Sequence, residues 1–216
     1  MFEFIEKDAK RLTLPQNHTK ENFTESYITD MDYLNLSFYT WPGNNTWLNE
    51  GLVWVLSSLS YLHYRRTNNI VFIDISIFSF HSIVSEKWLT KFKKSNLIFL
   101  CDAQLAPLAN YCYLRMRMAG FTGGVIYSFD DLHEVKRKIS LVISGYPVPP
   151  QRELQKISIK EFNILKLLYQ GVNIKKIATI CNTTTKTIYV HKSAIERKLK
   201  TSIKRIPWDM SQLNPL

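Results

Sequence analysis

Near the end of the chain, Lys186, Val190, Ser193 and Arg197 recur at steps of three or four residues, with Tyr189 beside Val190. On a helix that spacing gathers side chains on one face. Ammonium and guanidinium groups attract phosphate oxygens, while a hydroxyl, a phenol and a small apolar group can meet base edges. The opposite face carries Ile188, His191, Ile195 and Leu199, which suits burial. The chemistry on offer is therefore recognition of a polyanion rather than covalent catalysis. His191 has no cysteine or carboxylate at ligand spacing and reads as a packing or phosphate-contacting residue. We find no nucleophile–base pair, phosphate-cradling glycine loop or metal-ligand cluster, so neither an enzyme nor a cofactor is expected.

The charge distribution agrees with this emphasis. The 216 residues carry a net charge of +10. From Gln151 onward there are 13 lysines and arginines against 4 acidic residues, a balance of +9, while the first 150 residues carry +1. Such an asymmetry points to a polyanion partner for the C-terminal part. With 45% hydrophobic residues, the chain can fill a core, and wholesale disorder is excluded. Three cysteines, at 101, 112 and 181, make no disulfide framework and suit a reducing compartment. The first residues carry Glu3, Glu6 and Asp8 with no apolar run behind them, and the most apolar stretch, Gly51 to Leu62, is interrupted by serines. The expectation is a cytoplasmic protein without membrane contact, nucleoid-associated when bound to DNA.

These residues need elements to position them. Residues 1–30 are polar and aperiodic and read as a loose segment. Met31 to Trp41 reads as a strand, and Pro42-Gly43-Asn44-Asn45 as a turn. Apolar residues from Leu48 to Leu62 recur at helical spacing, predicting a helix to about Arg66. Ile70–Ile75, Leu97–Cys101 and Gly124–Tyr127 are continuous apolar runs of strand length, as in strands buried on both faces. Between and after them, Leu105–Ala119 and Leu132–Gly145 show helical periodicity. Alternating strands and helices imply a parallel sheet over 31–146. Prolines 147, 149 and 150 mark a linker over 147–156. A three-helix module over 157–206 follows, then a tail over 207–216. In that module Ser158 and Glu161 form a capping box, Gly171 ends the first helix, and Thr184 caps the third. A short helix, a tight turn and an exposed basic-aromatic helix make a helix-turn-helix, whose second helix fits a major groove about 12 Å wide.

The stretch Ile157 to Leu199 resembles the helix-turn-helix domain of LuxR/NarL/FixJ-type bacterial transcription regulators. Glu161, Ile164-Leu165, Gly171, Ile177-Ala178, Thr184, Thr187-Ile188, His191, Ile195 and Lys198-Leu199 stand at that family's spacing. The resemblance makes Thr185 to Lys200 the recognition helix. It implies a DNA-contacting set of Thr184, Lys186, Thr187, Tyr189, Val190, Lys192, Ser193, Arg197, Lys198 and Lys200. Tyr189 and Ser193 stand where the family often has lysine, which implies a different sequence preference. Cys181 replaces a usual leucine. Pro207 limits the family's fourth, dimerising helix to a few residues after Thr201.

The N-terminal half resembles a receiver (flavodoxin-like) domain, with residues 97–148 matching its second half and Asp74 at the position of the phosphoacceptor. It is loosely similar to enterobacterial fimbrial and capsule regulators of the LuxR type, whose N-terminal halves are divergent. Phosphoryl transfer to an aspartate needs Mg²⁺ held by neighbouring carboxylates, with a lysine and a hydroxyl nearby. Here Phe38-Tyr39-Thr40-Trp41-Pro42 stands where the acidic pair belongs, Cys101 at the hydroxyl position and Ser128 at the lysine position. The resemblance thus implies a pseudo-receiver working without phosphorelay. Tyr111, Tyr113, Leu114, Met116 and Met118, interleaved with Arg115 and Arg117, suit either an exposed interface or a buried helix with snorkelling arginines.

The expected architecture is α/β followed by all-α. The expected function is a DNA-binding transcription regulator acting on double-stranded DNA as a homodimer, or as a heterodimer with another regulator. The competing expectation is an auxiliary co-regulator that acts mainly by heterodimerising.

Overall fold

The computed structural model describes residues 27–31, 36–43, 45–59, 69–92, 95–151 and 155–206. It places a five-stranded sheet in the order β1-β2-β3-β4-β5, formed by Tyr27–Met31, Leu36–Trp41, Ile70–Ile75, Asn96–Cys101 and Thr122–Tyr127. Strands β2 to β5 are parallel. The three apolar runs read from the sequence are β3, β4 and β5, and β3 is buried along its whole length. Met31 to Trp41 does not form the single strand expected from its composition: Met31 ends β1, and β2 begins at Leu36. Tyr27 to Asp30 belong to the segment read as loose, yet they pair antiparallel with β2. That pairing occupies the outer edge of β2, whose backbone groups would otherwise stand open.

Helices cover both faces. Helix α1 (Thr46–Ser57) and α5 (Leu132–Ile143) lie on one side, where Leu52, Leu56, Ile139 and Val142 pack on Phe38, Phe72, Ile98 and Ile126. The helix expected to run to about Arg66 is described as far as Ser57, and residues 60–68 lie outside the described residues. On the other side lie α2 (Phe80–Val84), α3 (Trp88–Lys91) and α4 (Ala106–Met118). The first two are too short for periodicity to announce them. Asp131 caps α5 by accepting from the Glu134 amide at 2.8 Å. At Gly123 (φ +151°) a Cβ would collide with the Leu97 carbonyl, so β4 and β5 approach as closely as they do only with glycine there.

The proline stretch is less free than a linker suggests. Pro147 and Pro149 cannot donate, but Val148 between them can. Its N–H bonds Gly123 O at 3.0 Å, and its carbonyl accepts from Val125 at 3.2 Å. The chain is thus fastened to β5 before it leaves the sheet.

Three helices follow: α6 (Ile159–Tyr169), α7 (Ile174–Ile180) and α8 (Thr185–Leu199). Phe162, Ile164, Leu165, Ile177, Ile188, Ile195 and Leu199 are fully buried among them. After α8 a single 3₁₀ turn, Ile203–Arg205, buries Ile203 and Ile206. No helix among the described residues is long and apolar enough to cross a membrane.

The bundle rests on the α2–α4 side of the sheet. Tyr111 of α4 stacks on Phe162 of α6 at 4.0 Å between ring centroids, and Phe80 of α2 meets Tyr169 edge-on at 5.3 Å. Of the two readings left open for α4, burial holds for Tyr111 and Met116, at 2% and 0% exposed. Leu114 and Met118 stay at the surface.

Candidate nucleic-acid interface

The helix pair α7–α8 is shaped by its caps. Ser158 Oγ accepts from the Glu161 amide at 3.2 Å, and Glu161 Oε2 accepts from the Ser158 amide at 2.7 Å. This is the reciprocal capping box that starts α6. Gly171 (φ +73°) reverses the chain in the left-handed conformation that glycine adopts freely. Asn173 accepts from Lys176 N at 2.8 Å to begin α7. Asn182 (φ +46°) makes the turn, and Thr184 Oγ1 accepts from Thr187 N at 3.2 Å to begin α8. Asparagine is among the few side chains that tolerate such a φ.

The apolar face of α8 is turned inward, which leaves its other face to solvent. Tyr189 is 57% exposed and Val190 61%. Thr184, Lys186, Ser193, Arg197 and Lys200 are exposed beside them. Thr187 is half-buried, its hydroxyl within 2.9 Å of Thr184 Oγ1. The first turn also presents backbone amides of the kind that bind anions.

Not every lysine of the sequence-derived set faces outward. Lys198 Nζ donates to Glu161 at 2.8 and 2.6 Å and to Lys156 O at 3.0 Å. It ties α8 to the capping box of α6. Burial pushes the Glu161 carboxyl up, but Lys198 and the amide and hydroxyl of Ser158 outweigh it, so Glu161 titrates below the ordinary range. Lys192 lies 3.4 Å from Glu196 one turn on. Burial likewise raises Glu196, and the Ile203 amide, the Ser202 hydroxyl and Lys192 together bring it below its usual value. Lys186, Arg197 and Lys200 remain as the outward cations of α8. Lys175 and Lys176 join them from α7, both exposed. The sequence carried that signal, since these two lysines precede the inward pair Ile177-Ala178.

The second candidate, at the carboxyl ends of the strands, is built differently. Asp74 is only 8% exposed and accepts from Ser76 Oγ at 3.1 Å. Burial is the main reason that its carboxyl is pushed up, Ser76 and Asn45 pull it down, and Asp102 adds repulsion. Trp41 and Pro42 are buried at the end of β2. Cys101 is buried, its thiol pushed up by burial and by Asp102. Ser128 Oγ accepts from the Ala103 amide at 3.0 Å. Lys138, a buried lysine of α5, pairs with Asp130 at 2.6 Å, with side chains 6% and 3% exposed. Among the described residues no group of three or more His, Cys, Asp or Glu is placed to hold a metal ion.

Residues 20–143 match the family profile described as the EcpR N-terminal domain, which is more than half of the chain. Residues 155–205 match the profile of bacterial regulatory proteins of the luxR family. Among solved structures, one of two RcsB dimers bound to two parallel DNAs is 14% identical, covering 74% of this chain and 89% of that one at a TM-score of 0.40. RcsB from Salmonella typhimurium is 14% identical over 74% and 90%, at 0.31. Full-length FixJ from B. japonicum is 13% identical over 79% and 95%, at 0.31.

Proposed function

The chain belongs to the EcpR N-terminal domain family and carries a luxR-family regulatory domain behind it; from this premise we propose that it regulates transcription by laying α8 in the major groove of double-stranded DNA. The observation that carries the reading is the outward face of α8. Tyr189, Val190 and Ser193 form a central strip, with Lys186 and Arg197 at its two ends. In this reading the central strip meets base edges, while Thr184, Thr187, Lys186, Arg197 and Lys200 hold phosphates. Lys192 and Lys198 contribute less to DNA than their charge suggests, because each is held by a glutamate. Lys175 and Lys176 take their place on the first helix of the pair, the one that crosses the backbone.

We assign the N-terminal domain a regulatory and pairing role without phosphorelay. Support comes from Asp74, whose buried carboxyl accepts from Ser76, and from Lys138, which is occupied by Asp130. The working species is a dimer, since a two-fold assembly lets two copies of α8 read half-sites one helical turn apart. Solvent-facing Trp47 and Trp54, one turn pair apart on α1, favour a second reading in which pairing with another regulator dominates. The domain limits that go with this assignment are moved outward from 31 to 27 at the start, because β1 belongs to the sheet, giving 27–146 for the sheet domain, 147–156 for the connection and 157–206 for the DNA-binding module.

Genomic footprinting with the purified full chain, alone and with candidate partners, separates the readings. Enriched sites for the protein alone support direct regulation. Sites that appear only with a partner support the auxiliary role.

A further inference from the structure

The contact between the two domains has a centre, Glu86. Its backbone adopts φ +56°, a conformation that a glutamate side chain disfavours. In that position its carboxylate reaches three partners. Tyr111 OH and Arg115 Nε, both on α4, donate to Oε1 at 3.2 Å each. Lys166 Nζ of α6 lies 3.6 Å from Oε2. The stacked Tyr111–Phe162 pair lies beside it, and Phe80 and His81 flank Tyr169 on the other side. Two polar ties close the rim. The Ile157 amide donates to Pro107 O at 3.1 Å, and Asn110 Nδ2 donates to Gln155 O at 2.9 Å. Asn110 Oδ1 is in turn held by Tyr127 OH at 2.7 Å, so the tie reaches the central sheet. Buried residues of both domains form one continuous apolar cluster.

The module is held through α6, its connection and the inner side of α8. Lys186, Tyr189, Val190, Ser193 and Arg197 stay in solvent while the domains are docked. A contact that hid α8 would have to cover those residues.

We propose that Glu86 with α4 is an interdomain clamp that makes the two domains one body and presents the α8 face outward, so that DNA access does not depend on undocking. The inference rests on the DNA-binding reading for its second half only. A signal or partner acting on the N-terminal domain would then change how two bodies are oriented rather than uncover a hidden helix.

The test uses the full chain. Lys166 is half-buried at the surface, so Lys166→Glu sets two carboxylates against each other without opening a core. Amide exchange at Ile157 should be protected in the unaltered protein and accelerate about tenfold or more in Lys166→Glu, while Lys160→Glu, an exposed charge change on the same helix, should leave it protected. Unprotected Ile157 in the unaltered protein, or no acceleration in Lys166→Glu, overturns the clamp. DNA affinity is then compared between the same two variants. Equal affinities of the two variants support open presentation. Tighter binding by Lys166→Glu, by about fivefold or more, makes the contact inhibitory and overturns it. If neither variant nor the unaltered protein binds DNA, the functional reading fails, and the clamp is judged by exchange alone.

Discussion

The carboxyl ends of the sheet and the outer face of α8 both gather polar groups, and they treat them in opposite ways. At the sheet, Asp74, Cys101 and Lys138 are buried and turned toward neighbours within the domain. On α8, Lys186, Ser193 and Arg197 are exposed, with an aromatic and a branched aliphatic side chain between them. A group paired in the interior stabilises the fold, whereas a group left in water is available to a ligand. The contrast teaches that the +9 balance of the C-terminal part is itself divided. Lys198 and Lys192 serve the bundle, and Lys186, Arg197 and Lys200 face outward.

The largest effect should come from breaking a buried pair at the sheet. Asp130→Ala removes the nearer carboxylate of Lys138, leaving Glu134 at 3.9 Å, and also the acceptor of the Tyr127 amide, and should cost about 3–5 kcal/mol in urea unfolding. Lys138→Met strands the equally buried Asp130 carboxylate and should cost a comparable amount. Small losses for both would mean that the pair is not as dry as it looks.

On the DNA side, Val190→Ala and Tyr189→Ala should each weaken specific binding by about 1–3 kcal/mol in a fluorescence titration, with unfolding little changed. The division among lysines is sharpened by comparing Lys186→Ala with Lys198→Ala. The first should lower the salt slope of binding by about one while leaving stability intact. The second should cost about 1–3 kcal/mol of stability, since it strands the Glu161 carboxylate, and should change the salt slope less. The reverse pattern would dissolve the distinction.

The smallest effect concerns pH. Glu161 has a folded value lowered from 4.5, so the unfolded state binds its proton first. Its stabilisation is complete above that ordinary value and is lost as pH falls through the lowered one. Unfolding midpoints of the full chain measured downward from neutral pH should therefore fall in that window, and fall less in Glu161→Gln.

Much of this was legible in the sequence, because the C-terminal module is local. Capping box, Gly171 and the spacing of Ile188, Ile195 and Leu199 lie within a few turns of one another, and the helices Ile159–Tyr169, Ile174–Ile180 and Thr185–Leu199 follow from them. The strands β3 to β5 were equally plain as apolar runs. What pattern could not supply were pairings between distant residues. β1 lies among polar residues and exists by pairing with β2. Lys198 sits 37 positions from Glu161, and Tyr111 stacks on Phe162 from another domain. A periodicity states that a side chain faces inward, but not which element it will meet.

The central claim is that the outer face of α8 reads DNA sequence. The direct measurement is selection of duplexes from a random pool by the unaltered full chain, followed by titration of the selected duplex with that chain and with Val190→Ala. The account predicts an enriched motif, and binding to it that Val190→Ala weakens about fivefold or more while unselected duplexes are bound as before. Enrichment of no motif, or equal binding of the selected duplex by both proteins, would contradict it.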